Sequence, residues 1–279
     1  MATVIVPAHN EARVIGRLLG QLVSDARPGE LDIIVVPNGC TDDTAEVAAS
    51  FGSAVRVLPV PVASKQEALR AGDRAARDFP RLYVDADVEL GTEDVRALDA
   101  ALRRPGTLAA GPERVLALSG SSWPVRWYYE VWTRLPAVRA GLFGRGVIGV
   151  NSAGHQRVAN LPPLMSDDLA AALVFAPGEG IIVPDARVVV HPPRALGDLV
   201  RRRVRVVTGV TQIEHDESAP DSTARTRPAD LLAIIKHEPV MLPRVTVFVA
   251  VTVLARLRAR RAGRRGDYST WLRDESSRR

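Results

Sequence analysis

Cysteine is almost missing: Cys40 stands alone in a chain of 279 residues. A single thiol excludes an internal disulfide framework and fits a reducing compartment, where a small core side chain is role enough for it. Lysine is nearly as scarce, confined to Lys65 and Lys236, so the net charge of +5 and the pI of about 9.9 rest on arginine. That balance permits an anionic partner such as nucleic acid, a membrane surface or a phosphorylated substrate, without choosing among them. No stretch reaches the roughly 18 uninterrupted apolar residues of a spanning helix. The nearest run, residues 245–255, is closed by Arg244 and Arg256, so no integral span is expected. The first apolar run begins at Thr3, and no signal peptide is expected ahead of it.

What is present is a hydrophobic content of 46%, enough for one large core, and one domain is the expectation. Residues 3–8 read as a buried parallel strand, followed by a helix that Asn10 would cap and that carries Val14, Leu18, Leu19 and Leu22 at helical spacing. Residues 31–36 form a second strand, closed by Pro37-Asn38-Gly39, with Thr41 as cap of the next helix. A third strand over 55–60 leads to Ser64-Lys65 and another helix, and a fourth ends at Asp85. Strands alternating with helices predict a doubly wound parallel sheet, which binds ligands at the carboxyl ends of its strands. Pro7 to Glu11, Asn38, Lys65 and the Asp85-Ala86-Asp87 stretch all fall at such ends.

Asp85 and Asp87 are one residue apart, so an extended backbone would project both to one side while Ala86 turns away. Two carboxylates make half a site for a hard cation, because magnesium and manganese complete their shells with water and substrate phosphates.

Beyond Pro105 the pattern loosens. A short strand is expected at 108–111 and an aromatic helix at 121–132, where Trp123, Trp127, Tyr128 and Trp132 suit core packing better than an acceptor groove. Gly144-Arg145-Gly146-Val147-Ile148-Gly149 matches a dinucleotide fingerprint, but Asn160, Pro162 and Pro163 break any long helix after it, so residues 141–154 read as a mobile glycine-rich loop. A helix start at 164–173 has Ser166 as cap and Asp167-Asp168 in its first turn. Two strands, 180–184 and 186–190, precede His191, and an arginine-dense helix spans 196–207. Residues 214–228 are polar, and the apolar run that ends at Leu257 adjoins Arg258, Arg260, Arg261, Arg264 and Arg265. An apolar segment beside clustered arginines suits an interfacial helix on anionic lipid.

Taken in order, Val4-Ile5-Val6-Pro7-Ala8-His9-Asn10-Glu11, Asn38-Gly39-Cys40-Thr41-Asp42-Asp43-Thr44, Lys65 with Ala68, Leu69 and Gly72, Asp85-Ala86-Asp87, Ser166-Asp167-Asp168 and the arginines of 201–205 resemble the motif series of family-two glycosyltransferases. The resemblance covers residues 2–209. It implies a GT-A fold, a Rossmann-like, mostly parallel α/β sheet flanked by helices. Residues 1–105 would be the nucleotide-sugar-binding half and 106–240 the acceptor half, with 241–279 an apolar and basic C-terminal segment.

The implied reaction is transfer of a sugar from a nucleotide diphosphate, with inversion, to the hydroxyl of a saccharide, lipid-linked or small-molecule acceptor. The implied cofactor is Mn2+ or Mg2+. By the same resemblance Asp87 would be the metal ligand, and Asp85 would hold the donor ribose or the metal through water. His191 would add a metal or phosphate contact, its alternative being a structural histidine. Pro7, His9, Glu11 and Asn38 would receive the base, where relatives carry an aspartate at the Asn38 position; asparagine can accept a ring N–H and donate to a ring carbonyl. UDP- or dTDP-sugars are therefore favoured. Lys65 would contact the diphosphate or the base region, Arg202 and Arg205 would neutralise phosphate charge, and Asp168, with Asp167 as the alternative, would be the general base. The expected location is cytoplasmic, with peripheral contact to the inner face of a membrane through 241–265, and no nucleic-acid partner. The rival readings are a nucleotidyltransferase that makes nucleotide-sugars, which would start with a glycine-rich loop, and a non-catalytic basic nucleic-acid-binding protein.

Overall fold

β-branched runs build the first half of the molecule. In the computed structural model, β1 (Ala2–Ala8) is buried at all seven positions, and it pairs in parallel with β2 (Leu31–Pro37) on one side and β4 (Arg81–Val84) on the other. β3 (Val55–Val57) adds to β2, and the whole sheet runs β3-β2-β1-β4-β6-β5-β7. The described residues are 1–159, 174–176, 178–214 and 226–264, with only the backbone described for 208–214 and 262–264. The expected helix at 164–173, most of the polar stretch 214–228 and Arg265 lie outside them.

From β1 the chain moves outward through β2 and β3, then returns to lay β4 on the other side of β1. This reversal opens a crevice beyond the carboxyl ends of β1 and β4, the place where a doubly wound sheet takes its ligand. Helix α1 (Ile15–Ser24) covers the sheet with Ile15, Leu18, Leu19 and Leu22, each fully buried and worth about 1.5–3 kcal/mol relative to exposure. Helices α2 (Thr44–Ala49), α3 (Lys65–Ala75) and α4 (Thr92–Leu102) complete the layers. Ser64 caps α3, accepting the Glu67 N–H at 3.2 Å.

Two expected caps, Asn10 and Thr41, fail for one reason. Asn10 sits at φ 52°, and its Oδ1 accepts the Thr41 N–H at 2.7 Å, so it ties two loops together instead of capping. α1 starts only at Ile15 and α2 at Thr44, whose N–H is taken by Asp42 Oδ1 at 3.2 Å.

The glycine-rich loop expected over 141–154 is corrected most. Val147–Val150 is a buried strand, β6, running antiparallel between β4 and β5, and helix α7 (Ser152–Ala159) follows. Gly154 is the residue that lets α7 sit there, since a Cβ on it would lie 2.2 Å from the Leu108 carbonyl oxygen. The fingerprint-like glycines therefore enter a strand and open no helix, as expected of a decoy. The short strand at 108–111 is the eight-residue β5 (Ala109–Leu116), and the two strands after 180 are one, β7 (Gly180–Val190), with a register shift opposite Pro112 and Glu113.

A second core joins helix α5 (Trp123–Trp132) to α8 (Leu196–Glu214) and α10 (Leu242–Arg264), with α6 (Pro136–Ala140) and α9 (Pro228–His237) beside it. Tyr128 is fully buried and stacks on Phe248 at 4.8 Å, which bears out core packing for the tyrosines, while Trp123 stays 55% exposed against the edge of Trp127. The absence of a membrane-length helix is also corrected: Pro239–Arg261 is long and apolar enough to cross a bilayer, with 28% of its window buried. Counting uninterrupted apolar runs missed it because isolated arginines interrupt the run without ending the helix.

Candidate active site

Two loops form the first wall of the crevice. The His9 ring Nδ1 lies 2.6 Å from the Asn38 carbonyl oxygen, and the Glu11 N–H donates to Thr44 Oγ1 at 2.8 Å. Glu11 is buried, and Pro7 is the penultimate residue of β1. Asn38 is 3% exposed and directs its amide nitrogen at the carbonyl oxygens of Ala8, at 2.9 Å, and Val36, at 3.4 Å. Because both neighbours are acceptors, the NH2 group must face them, and Oδ1 remains to accept. The dual donor and acceptor role considered for Asn38 thus reduces to acceptor alone.

The second wall is the carboxylate stretch. β4 stops at Val84, and the Val88 N–H reaches back to the Asp85 carbonyl at 3.4 Å, so Asp85 and Asp87 sit on a turn and not on the extended backbone expected. They still share a side: Asp85, Asp87 and Glu89 are half-buried, while Ala86, Val88 and Leu90 between and beyond them are 4%, 2% and 1% exposed. Gly146, at φ +68°, backs this turn; its carbonyl accepts the Asp85 N–H at 2.8 Å, and a Cβ there would lie 2.5 Å from Val88.

Side chains from three elements meet the turn. Lys65 Nζ, at the start of α3, donates to Asp85 Oδ1 at 2.9 Å. Arg17 on α1 donates to the Asp87 carbonyl at 3.4 Å and lies 3.3 Å from Glu89. His191, just past β7, places Nε2 2.7 Å from Glu89 Oε1, and Gln21 donates to the other oxygen at 3.2 Å. Burial pushes the Glu89 carboxyl upward, but the bonds from His191 and Gln21 and the charge of Arg17 outweigh it and hold the group below the usual carboxylate range. The structure therefore brings Lys65, Asp85, Asp87 and His191 to one rim. Sequence reasoning assigned no role to Glu89 or Arg17, although Glu89 continues the two-residue spacing of the aspartates and Arg17 stands on the exposed side of α1.

Arg202 and Arg205 belong to α8 and are half-buried. Arg202 comes close enough to Arg114 to add repulsion to a guanidinium that burial already pulls down, with Arg145 contributing as well. Asp167 and Asp168 lie outside the described residues.

Among the described residues no three His, Cys, Asp or Glu side chains gather into a group that could cage a metal. A cation that keeps several waters and binds substrate phosphates requires only one or two carboxylates, and the Asp85-Ala86-Asp87 turn offers two hard oxygen donors. The residues present thus fit a divalent ion shared with a diphosphate, and Asp87 and Asp85 would hold it. Glu89 already occupies His191.

With this geometry in view, the chain belongs to glycosyl transferase family 2, whose model matches residues 3–159, and it is a glycosyltransferase. An uncharacterised glycosyltransferase of Mycobacterium tuberculosis is 32% identical over 163 residues, 58% of this chain and 69% of that protein. Among solved structures, a mannosyltransferase from Pyrobaculum calidifontis in complex with GDP-mannose and Mn2+ superposes with a TM-score of 0.61 at 21% identity, covering 99% of this chain and 84% of that one. Glucosyl-3-phosphoglycerate synthase from Mycobacterium tuberculosis, in complex with Mn2+, UDP and glucosyl-3-phosphoglycerate, gives 0.58 at 20% identity, over 80% of this chain and 81% of that one. At these identities the structures establish the fold, GT-A.

Glu89 yields a pH test. Its folded pKa is depressed, so its contribution to stability is present above the unfolded value of about 4.3 and is lost as pH falls through the folded value. Glu89→Gln should cost about 2 kcal/mol at pH 7 in urea unfolding. That gap should close as pH falls through the folded value, where both side chains become neutral. A gap that stays constant with pH would remove the ionic account.

Proposed function

We propose that this glycosyltransferase transfers a sugar from a nucleotide diphosphate to an acceptor hydroxyl, with inversion and with Mn2+ or Mg2+ as cofactor. What supports the reading is the contact of Lys65 with Asp85 just past β4, with Asn38 just past β2 on the same edge of the parallel sheet. Asn38 Oδ1 is an acceptor, the partner an imide N–H of uracil or thymine calls for, which favours UDP- or dTDP-sugars over bases without that proton. Pro7, His9 and Glu11 shape the same wall.

A bound divalent ion would neutralise charge growing on the leaving nucleoside diphosphate. The family motif assigns Asp87 direct coordination, and Asp85, one oxygen of which Lys65 engages, an outer contact to metal or ribose. His191 orients Glu89 and through it the end of the turn. Arg202 and Arg205 are assigned to phosphate neutralisation by the family motif alone. Asp168, or Asp167 beside it, would take the proton from the acceptor hydroxyl as it attacks the face opposite the leaving group.

A second reading concerns location. Along α10, Phe248, Val251 and Ala255 face the second core, while Leu242, Val249, Val253, Leu254 and Leu257 are 38–54% exposed, next to exposed Arg256, Arg258, Arg260 and Arg261. A helix held to its domain along one face and apolar on the other suits the surface of an anionic membrane, with the arginines at the phosphate level. Crossing a bilayer would strip Phe248 and its neighbours from their partners.

Thermal-shift titration tests the donor reading. UDP should raise the melting temperature more with manganese than without, and Asp87→Ala should abolish that difference. Asp168→Asn should bind UDP normally and lose about 100-fold or more in kcat. A manganese effect intact in Asp87→Ala, or full turnover in Asp168→Asn, contradicts the respective assignment. For the location, the chain should sediment with phosphatidylglycerol vesicles and Val253→Asp with Leu257→Asp should not; equal sedimentation of both would end that reading.

A further inference from the structure

Hydrogen bonding between β4 and β6 continues past the end of the strands. Their last register pair is Val84 with Val147, and the Asp85 N–H adds one more ladder bond, 2.8 Å to the Gly146 carbonyl. The main chain of Asp85 is thus fixed by the residue that precedes β6. Only glycine fits there: at φ +68° an L side chain is strained, and a Cβ would meet Val88 Cγ1 at 2.5 Å and Asp85 Oδ2 at 3.4 Å. Gly144 is left-handed as well, at φ +66°, and Arg145 stands between the two glycines, 3% exposed.

Two guanidiniums hold this segment. Arg145 donates to the carbonyls of Gly141 at 3.0 Å, Pro112 at 2.9 Å and Arg139 at 3.1 Å. Arg114, on β5, donates to those of Phe143 at 3.2 Å, Gly144 at 3.0 Å and Val138 at 3.2 Å, and lies 4.3 Å from the centre of the Trp132 ring. Every acceptor is a backbone carbonyl, and Pro112 and Arg114 both belong to β5, so the chain from 138 to 146 is bound to that strand. Burial pulls both guanidiniums down, a cost that the carbonyls offset. The planar fork of arginine reaches several acceptors in fixed directions, which the single ammonium of lysine does not. Asp85 is held twice as a result, through its main chain by Gly146 and through its carboxylate by Lys65.

We infer that Arg145 and Gly146 are positioning residues of the donor site: the arginine fixes the segment, and the glycine carbonyl sets the Asp85 end of the turn, so that the carboxylates stand in place before a cation arrives. The inference rests on the reading of Asp85 and Asp87 as the side chains that hold the metal. Neighbours that orient a ligating carboxylate change metal affinity by about 10–100-fold when they are altered.

Calorimetric titration of the full chain with UDP, at saturating Mn2+ and without metal, provides the test. Mn2+ should strengthen UDP binding to the wild type. Arg145→Lys, which keeps the charge and loses the fork, and Gly146→Ala should each cut that enhancement about tenfold and leave metal-free UDP binding unchanged. Val88→Ala added to Gly146→Ala removes the atom that the new Cβ would meet, and should restore most of the enhancement. Val150→Ala, in the same strand but paired with Arg81 at its far end, should lower the melting temperature and keep the enhancement whole, which separates a displaced turn from a weakened fold. Should Arg145→Lys not fold, Gly146→Ala and its rescue decide alone. An enhancement undiminished in Arg145→Lys and Gly146→Ala, or lost equally in Val150→Ala, would overturn the inference and leave the metal reading standing. A wild type whose UDP binding ignores Mn2+ would sink the metal reading itself, and the inference with it.

Discussion

Three carboxylates within five residues, Asp85, Asp87 and Glu89, crowd the end of β4, and the surrounding structure is arranged to compensate them. Left alone, such a cluster would repel itself and resist even partial burial. Lys65 from α3, Arg17 from α1 and His191 from beyond β7 each satisfy a part. Those contacts draw together elements that are distant in sequence, and they fix the rim at which the sheet reverses.

The two halves of the molecule solve different problems. The first is a buried parallel sheet whose loops lock onto each other, through Asn10 with Thr41 and Glu11 with Thr44, so the crevice wall is rigid before any ligand arrives. The second carries its own helical core of α5, α8 and α10, set against the sheet through β5 and β7. One face of α10 completes that core, and the other is apolar and basic.

Much of the first half was legible because its strands are continuous β-branched runs: residues 3–8 and 31–36 match β1 and β2 to within a residue. The strand ends placed Asn38, Lys65, Asp85 and Asp87 along one rim of the sheet, and Lys65 meets Asp85 there, while His191, offered as a metal or phosphate contact, lies against Glu89. What stayed hidden depends on partners far along the chain. Asn10 and Thr41 look like caps locally, yet the Thr41 N–H donates to Asn10 Oδ1, so each finds its partner in the other's loop. β6 carries a glycine in four residues, and only its position between β4 and β5 makes a strand of it. Glu89 and Arg17 carry no motif, and their pairing spans 72 positions.

The central claim is that the carboxylate turn at the end of β4 holds a divalent ion against the donor's diphosphate. A crystal structure of the chain with UDP and Mn2+ tests it most directly. The account predicts manganese coordinated by the Asp87 carboxylate and the diphosphate, with the uracil at Asn38. Manganese bound away from that turn, or UDP seated outside the crevice between β1 and β4, would contradict it.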